Sequence, residues 1–424
     1  MTLACTAASD GPTADGTAHA GAAATGGTAT VRTDPAKDQQ WHLQELEATA
    51  AWRISTGKGV TVAVIDSGVD ASHPDLAGQV LPGLDLVEQG GNGHFDPVGH
   101  GTAVASLIAG RRDSRGVTGL APDATILPVR VLDEGNRYDD ALVVARAVRW
   151  AVDNGAQVIN LSLGGVSESA VLASAIDYAF ARDVVVVACT GNLTSSSPTE
   201  VWYPAREPGV VAVTGLGRDG DDFWPGALTG AETVLAAPAT ELLSARPGGY
   251  WRVQGTSFAA PMVSAAAALI RSRWPEMAAG EVVNRLISTA RDLGRAGRDD
   301  TFGFGRVDPL AALTADVPKV GRNPLDDGSS PATVGFGPAP HLDSSPTPAR
   351  PDNVIGGRAS KVGVGWAARP SAKPTDERSG PGFWGWAALA GVPIVLVAVL
   401  VGGLVRRPGR AASPRREGRT HRGP

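Results

Sequence analysis

The chain has 424 residues, of which 43% are apolar and 19% charged, with ten Trp and two Cys. That apolar supply excludes wholesale disorder and allows one large core with appendages. A net charge of −5 leaves no electrostatic footprint for nucleic acid, and the two cysteines, Cys5 and Cys189, exclude a disulfide scaffold and a multi-cysteine zinc site.

Residues 1–39 are mostly Ala, Thr, Gly and Asp, too poor in large side chains to offset the entropy of ordering, and they read as a disordered extension. Thr2-Leu3-Ala4-Cys5 resembles the end of a signal peptide, which places the expected translation start upstream of Met1; Cys5 as a lipidated cysteine is the lesser alternative. Between 40 and 315 apolar runs alternate with amphipathic ones. Val60–Ile65, Thr125–Leu132, Val158–Leu161 and Val184–Ala188 are continuous apolar strands, the pattern of a parallel sheet buried on both faces. Residues 139–154 have helical spacing through Leu142, Ala145, Val148 and Val152 and stop at Asn154-Gly155. The alternation predicts a doubly wound, mainly parallel α/β domain. Residues 316–382, rich in Pro, Gly and Ser, read as a linker. Residues 383–405 carry no charge and are long enough to cross a bilayer as a helix, with Trp384 and Trp386 at one interface. The tail 406–424 has seven Arg against one Glu, which places it in the cytoplasm and the α/β domain outside a plasma membrane.

Three segments concentrate the chemistry. Asp66 ends the first strand and is followed by Ser67-Gly68. His100 opens a helix inside Gly99-His100-Gly101-Thr102-Ala103. Ser257 opens a long apolar helix inside Gly255-Thr256-Ser257-Phe258-Ala259-Ala260-Pro261. An Asp, a His and a Ser at strand and helix ends suit nucleophilic catalysis: Ser attacks, His moves the proton, Asp orients the imidazole. Each also has an ordinary use, Ser257 as a helix cap and Asp66 as a turn residue. A metal cluster of His94, Asp96 and His100 is disfavoured because the spacing fits no ordinary zinc motif. Cys189 reads as a small buried hydrophobe.

The three blocks, in the order Asp, His, Ser, resemble the signature segments of subtilisin-like serine proteases over residues 45–315. The resemblance implies a serine endopeptidase acting on polypeptide, with Asn192 of Thr190-Gly191-Asn192 as oxyanion donor. It also implies a substrate-binding segment at Ser162, Leu163 and Gly164. Ala103, where many relatives carry a second His, together with the linker, span and tail, resembles the mycosin branch. That branch implies a single-pass membrane protease associated with a type VII secretion complex; the alternative is a structural subunit in which proteolysis is secondary. No cofactor is implied for catalysis. Structural calcium is implied only as a possibility at Asp75 and Asp113, against which the three arginines of the Arg111–Arg115 loop count.

Overall fold

The structure, a computed structural model, describes residues 35–327 apart from 89, 139, 194–198 and 219–220, together with the pair 373–374. Most of the predicted extension and linker, and all of the predicted span 383–405 and tail 406–424, lie outside the described residues. Among the described residues no helix is long and apolar enough to cross a membrane.

The chain enters through three short helical segments, α1 (Pro35–Asp38), α2 (Trp41–Glu45) and α3 (Ala48–Ala51). Long-range hydrogen bonds fasten them to the rest: Trp41 Nε1 donates to the Thr240 carbonyl at 3.2 Å and Trp52 Nε1 to that of Leu120 at 2.8 Å. There follow β1 (Thr61–Asp66), β2 (Leu84–Asp85), α4 (His100–Ala109), β3 (Thr125–Arg130), α5 (Ala141–Asp153), β4 (Val158–Leu161), α6 (Ala170–Ala181), β5 (Val185–Cys189), β6 (Val211–Leu216) and β7 (Leu235–Pro238). All seven strands join one parallel sheet in the order β2-β3-β1-β4-β5-β6-β7. The apolar runs are continuous because both faces are covered. Val62, Ala63, Val64 and Ile65 are fully buried, and every residue of β4, β5, β6 and β7 is buried. Helices α5 and α6 pack on each other and on the sheet.

The antiparallel hairpin β8 (Leu242–Arg246) and β9 (Gly249–Val253) follows β7 and lies against α4. Next come α7 (Thr256–Arg273), α8 (Ala279–Ser288) and α9 (Pro309–Thr314). All residues of α7 from Thr256 to Arg271 are buried, so the helix is apolar around its whole circumference. It touches α4 and strands β4 to β7. A two-residue strand, β10 (Lys373–Pro374), pairs with β9.

The predicted strands and helix match β1, β3, β4, β5 and α5 closely, whereas β2 and α6 are not anticipated by the sequence reading. The strand expected over 125–132 ends at Arg130, because the Val131 and Leu132 N–H groups both turn to the Asp66 carbonyl, at 2.8 and 3.2 Å. Those two bonds brace the end of β1, where Asp66 sits.

Candidate active site

From β1 the chain adds β3 on one side and, later, β4 on the other. The strand order therefore reverses at β1, and the crevice beyond the carboxyl ends at such a point is where open α/β sheets bind ligands. Asp66 is the last residue of β1, and His100, the first of α4, meets it there. His100 Nδ1 lies 2.7 Å from Asp66 Oδ1, both side chains being fully buried. A carboxylate can only accept, so Nδ1 carries the proton and Nε2 is left basic. The Ser67 N–H donates to the same Asp66 oxygen at 2.7 Å. Burial depresses the imidazole's pKa. The adjacent Asp66 charge and hydrogen bond, with a smaller contribution from Asp96, outweigh it and raise the pKa above the ordinary value.

Two glycines permit this approach. Gly99, in the left-handed region at φ 83°, turns the chain into α4. A Cβ at Gly101 would lie 2.0 Å from the Gly68 carbonyl oxygen, so any side chain there would push α4 off the end of β1.

Ser257 is the second residue of α7 and only 2% exposed. Pro261 sits four residues later and has no N–H to donate to the Ser257 carbonyl. That carbonyl instead accepts from the Ser162 hydroxyl at 2.6 Å. Ser162 accepts from Asn160 Nδ2 at 2.8 Å, and Asn160 Oδ1 accepts from Ser264 at 2.9 Å. The missing helix bond is thus replaced by a buried relay joining the end of β4 to the first turns of α7. The Ser257 hydroxyl lies 4.0 Å from Cys189 Sγ, and His100 Nε2 is buried with no hydrogen-bond partner among the described residues. Cys189 is fully buried and its thiol is pushed up to about 11 by that burial, which keeps it neutral beside the serine.

Asn192 lies just beyond β5. Its Oδ1 accepts from the Thr256 N–H at 2.9 Å and from the Thr256 hydroxyl at 3.0 Å. A backbone N–H can only donate, so the amide oxygen must face α7, and among the described residues Nδ2 has no hydrogen-bond acceptor of its own. Ser162 and Leu163 are buried. The Ser162 hydroxyl is spent on the Ser257 carbonyl, leaving only its backbone for a substrate. Leu163 places its carbonyl 3.9 Å from Cys189 Sγ, and Gly164 lies against the Tyr203 carbonyl and the Trp202 ring. Asp66, His100, Ser257, Asn192 and Ser162 thus converge on the carboxyl edge of the sheet. Thr256, Asn160, Ser264 and Asp96 were not singled out as supports in the sequence. One signal for them was present: a proline four residues after Ser257 implies an orphaned carbonyl that some donor must meet.

The family's calcium chemistry does not fit this chain's Arg111–Arg115 loop. Asp75 Oδ2 accepts the Val117 N–H at 2.7 Å, and its Oδ1 accepts from the Tyr250 hydroxyl at 3.3 Å. The Lys37 ammonium donates to the Asp113 carbonyl and lies 3.5 Å from Thr118 Oγ1. The Gln40 amide pairs with both backbone groups of Thr118 at 2.8 Å. A hard cation needs several oxygens turned towards it; here those oxygens already take N–H and O–H donors and an ammonium. Among the described residues no three His, Cys, Asp or Glu side chains gather as a metal cluster. His94 turns away, its Nε2 2.8 Å from the Leu81 carbonyl.

A buried Asp–His pair beside a serine on a helix N-terminus, with a carboxamide donor pinned next to it, is the arrangement of a serine hydrolase on a parallel α/β sheet. The family comparison is consistent with it. The model of the Peptidase_S8 subtilase family matches residues 57–305, and the chain belongs to that family of subtilisin-like serine endopeptidases. Among curated relatives, it is 41% identical to subtilisin E of Bacillus subtilis over 259 residues, 61% of this chain and 66% of that protein. It is 34% identical to fervidolysin of Fervidobacterium pennivorans over 315 residues, 67% of this chain but 45% of the relative, so it spans just under half of fervidolysin's length. Among solved structures, the MycP3 protease from the type VII (ESX-3) secretion system superposes with a TM-score of 0.59 at 32% identity. That match covers 67% of this chain and 91% of the other.

Proposed function

We propose that this chain is a membrane-anchored serine endopeptidase that cleaves exported polypeptides on the outer side of the plasma membrane in association with a type VII secretion complex. The observation that carries the catalytic part is the fully buried Asp66–His100 pair at 2.7 Å, placed beside Ser257 on the first turn of α7. Ser257 Oγ attacks the scissile carbonyl while His100 Nε2 takes its proton, and Asp66 holds the tautomer and stabilises the imidazolium. The oxyanion of the tetrahedral intermediate is met by Asn192 Nδ2 and the Ser257 N–H. Collapse sends the proton from His100 to the leaving amine and leaves an acyl-enzyme. Water, deprotonated by the same imidazole, releases the second product.

Anchoring rests on the charge-free segment 383–405 and the arginine-rich tail that follows it. The type VII association rests on likeness to MycP3 and on the order domain, linker, span and tail. The test is fluorophosphonate labelling of the full chain in detergent, with Ser257→Ala as control. Labelling lost only in the variant is the expected result; equal labelling of both, or of neither folded protein, overturns the catalytic reading. A substrate screen on secreted proteins of the host, comparing Ser257→Ala with the parent, then tests the secretion role.

A further inference from the structure

Asp96 lies in the loop before α4, is 5% exposed, and has no ion-pair partner among the described residues. Its carboxylate accepts five hydrogen bonds, all from neutral donors. Oδ1 takes the Ser67 hydroxyl at 2.8 Å, the Gly99 N–H at 2.7 Å and the Val98 N–H at 3.2 Å. Oδ2 takes the Thr102 N–H at 2.9 Å and the Thr102 hydroxyl at 2.5 Å. Burying an unpaired carboxylate is costly, and burial raises its pKa despite those donors. Helix capping explains part of the arrangement: Gly99 offers no side chain, and Asp96 accepts the N–H of Gly99, the N-cap, and that of Thr102, the third residue of α4. Capping does not explain the Ser67 bond. Ser67 is the residue after Asp66, donates its own N–H to Asp66 Oδ1 at 2.7 Å, and accepts the Gly101 N–H on its hydroxyl at 3.0 Å. Asp96 therefore holds both halves of the Asp66–His100 pair, one through Ser67 and the other through the first turn of α4.

We propose that Asp96 is a positioning residue for the catalytic pair and a second buried carboxylate against which the His100 imidazolium forms. This rests on the catalytic reading of Asp66, His100 and Ser257 given above. The groups facing His100 from its surroundings are Asp66 on β1, Asp96, the Phe258 ring on α7 at 5.1 Å between centroids, and the neutral Cys189 thiol on β5 beside Ser257. On the hairpin side is Arg246, whose guanidinium is stacked on Trp251 at 4.6 Å. Of these, only the two carboxylates are anions. Removing the Asp96 charge withdraws stabilisation from the imidazolium alone, whereas removing a cap weakens only the helix.

The test uses Asp96→Asn and Ser67→Ala in the full chain, each also in the Ser257→Ala background. The readouts are the fluorophosphonate labelling rate against pH, kcat and KM on a peptide substrate, the His100 ring titration by NMR, and Tm. For Asp96→Asn, kcat is expected to fall by about ten- to a hundredfold with KM little changed. The acid limb of the labelling rate and the His100 titration should both move down by about half a unit or more. For Ser67→Ala, which keeps the Asp96 charge, kcat should fall while the titration stays in place. An unmoved His100 titration in Asp96→Asn, with kcat loss in step with Tm loss, would reduce Asp96 to a helix cap and overturn the proposal. If Asp96→Asn does not fold, an unchanged kcat in Ser67→Ala overturns the positioning role. A failure of the catalytic reading is separate: the parent chain would then not be labelled at Ser257, while the NMR titration would still report on Asp96.

Discussion

Replacing Asn192 by Leu tests the site most directly, because the structure defines what that side chain can do. Its oxygen is held by the Thr256 N–H and hydroxyl at 2.9 and 3.0 Å. The Nδ2 group is therefore the end of the carboxamide turned away from the Thr256 N–H and the one able to donate. Leu has nearly the same shape, so the exchange removes the donor with little change in volume. An oxyanion donor of this kind contributes about 3–4 kcal/mol in the transition state, or about 10²- to 10³-fold in kcat, while ground-state binding is hardly touched. Thr256→Val removes only one of the two holds on the carboxamide, worth about 1 kcal/mol or about fivefold. Because Thr256 acts on the oxyanion through Asn192, the double variant should be no slower than Asn192→Leu alone. Steady-state kinetics on a chromogenic peptide, with fluorophosphonate labelling to count active sites, measures all three. A loss below tenfold for Asn192→Leu, or multiplicative losses in the double variant, would refute the assignment.

Glu207 is buried among Glu168 and Asp177, and that burial, with their charges, pushes its carboxyl up to about 7. The folded state then holds a proton that the unfolded state releases near the ordinary carboxylate value, so stability from this group falls as pH rises to about 7 and is flat above. Glu207→Gln should therefore gain Tm over the parent progressively from pH 5 to about 7 and hold a constant advantage above that, and a pH-independent difference would refute it. Arg130 is 1% exposed and paired with Asp85 at 3.0 Å. Arg130→Met strands the carboxylate and should cost about 3–5 kcal/mol in chemical denaturation, a loss below 1 kcal/mol being incompatible with a desolvated pair. Lys37→Met should lower Tm by a few degrees, worth about 1 kcal/mol, with no response to millimolar calcium or chelator in either protein. A calcium-dependent rise in the parent would show that the Arg111–Arg115 loop opens to a metal.

Strands β1, β3, β4 and β5 were legible because they are buried along nearly their whole length and read as mainly Val, Ile, Leu and Ala; the two-residue edge strand β2 was too short to read. The helix over 141–153 was legible because it carries an apolar stripe and stops at Asn154-Gly155. The hairpin β8–β9 was not, since Gly249–Val253 is half-exposed and its pattern, Gly-Tyr-Trp-Arg-Val, has neither period. Strand β7, Leu-Ala-Ala-Pro, is too short and too small in its side chains to stand out. In the site, Asp66, His100, Ser257 and Asn192 were legible because each sits in a glycine-punctuated block of its own. Their supports were invisible for the opposite reason. Asn160 and Ser264 lie within apolar runs where a single polar residue looks incidental, Thr256 is overshadowed by the serine beside it, and the contacts Thr256–Asn192 and Ser264–Asn160 span 64 and 104 positions in sequence.

Those supports explain how a site made from four separate segments is held together. None of the segments touches its neighbours through chain continuity. Each is fastened by a group that the local secondary structure has left unsatisfied. The carbonyl freed by Pro261 binds Ser162, the free N–H of Thr256 binds Asn192, and the uncapped start of α4 binds Asp96. Helix and strand ends leave such groups as a matter of geometry, and in water they would be solvated. Buried here, an unmet donor or acceptor costs about 1–3 kcal/mol, so each bond is retained by the penalty for breaking it. The same groups that satisfy the ends of α4 and α7 thus also fix Asp66, His100, Asn192 and Ser257 relative to one another. Substitutions at Ser162, Thr256 or Asp96 should accordingly lower activity and stability together, with the His100 titration separating the one charged support from the two neutral ones.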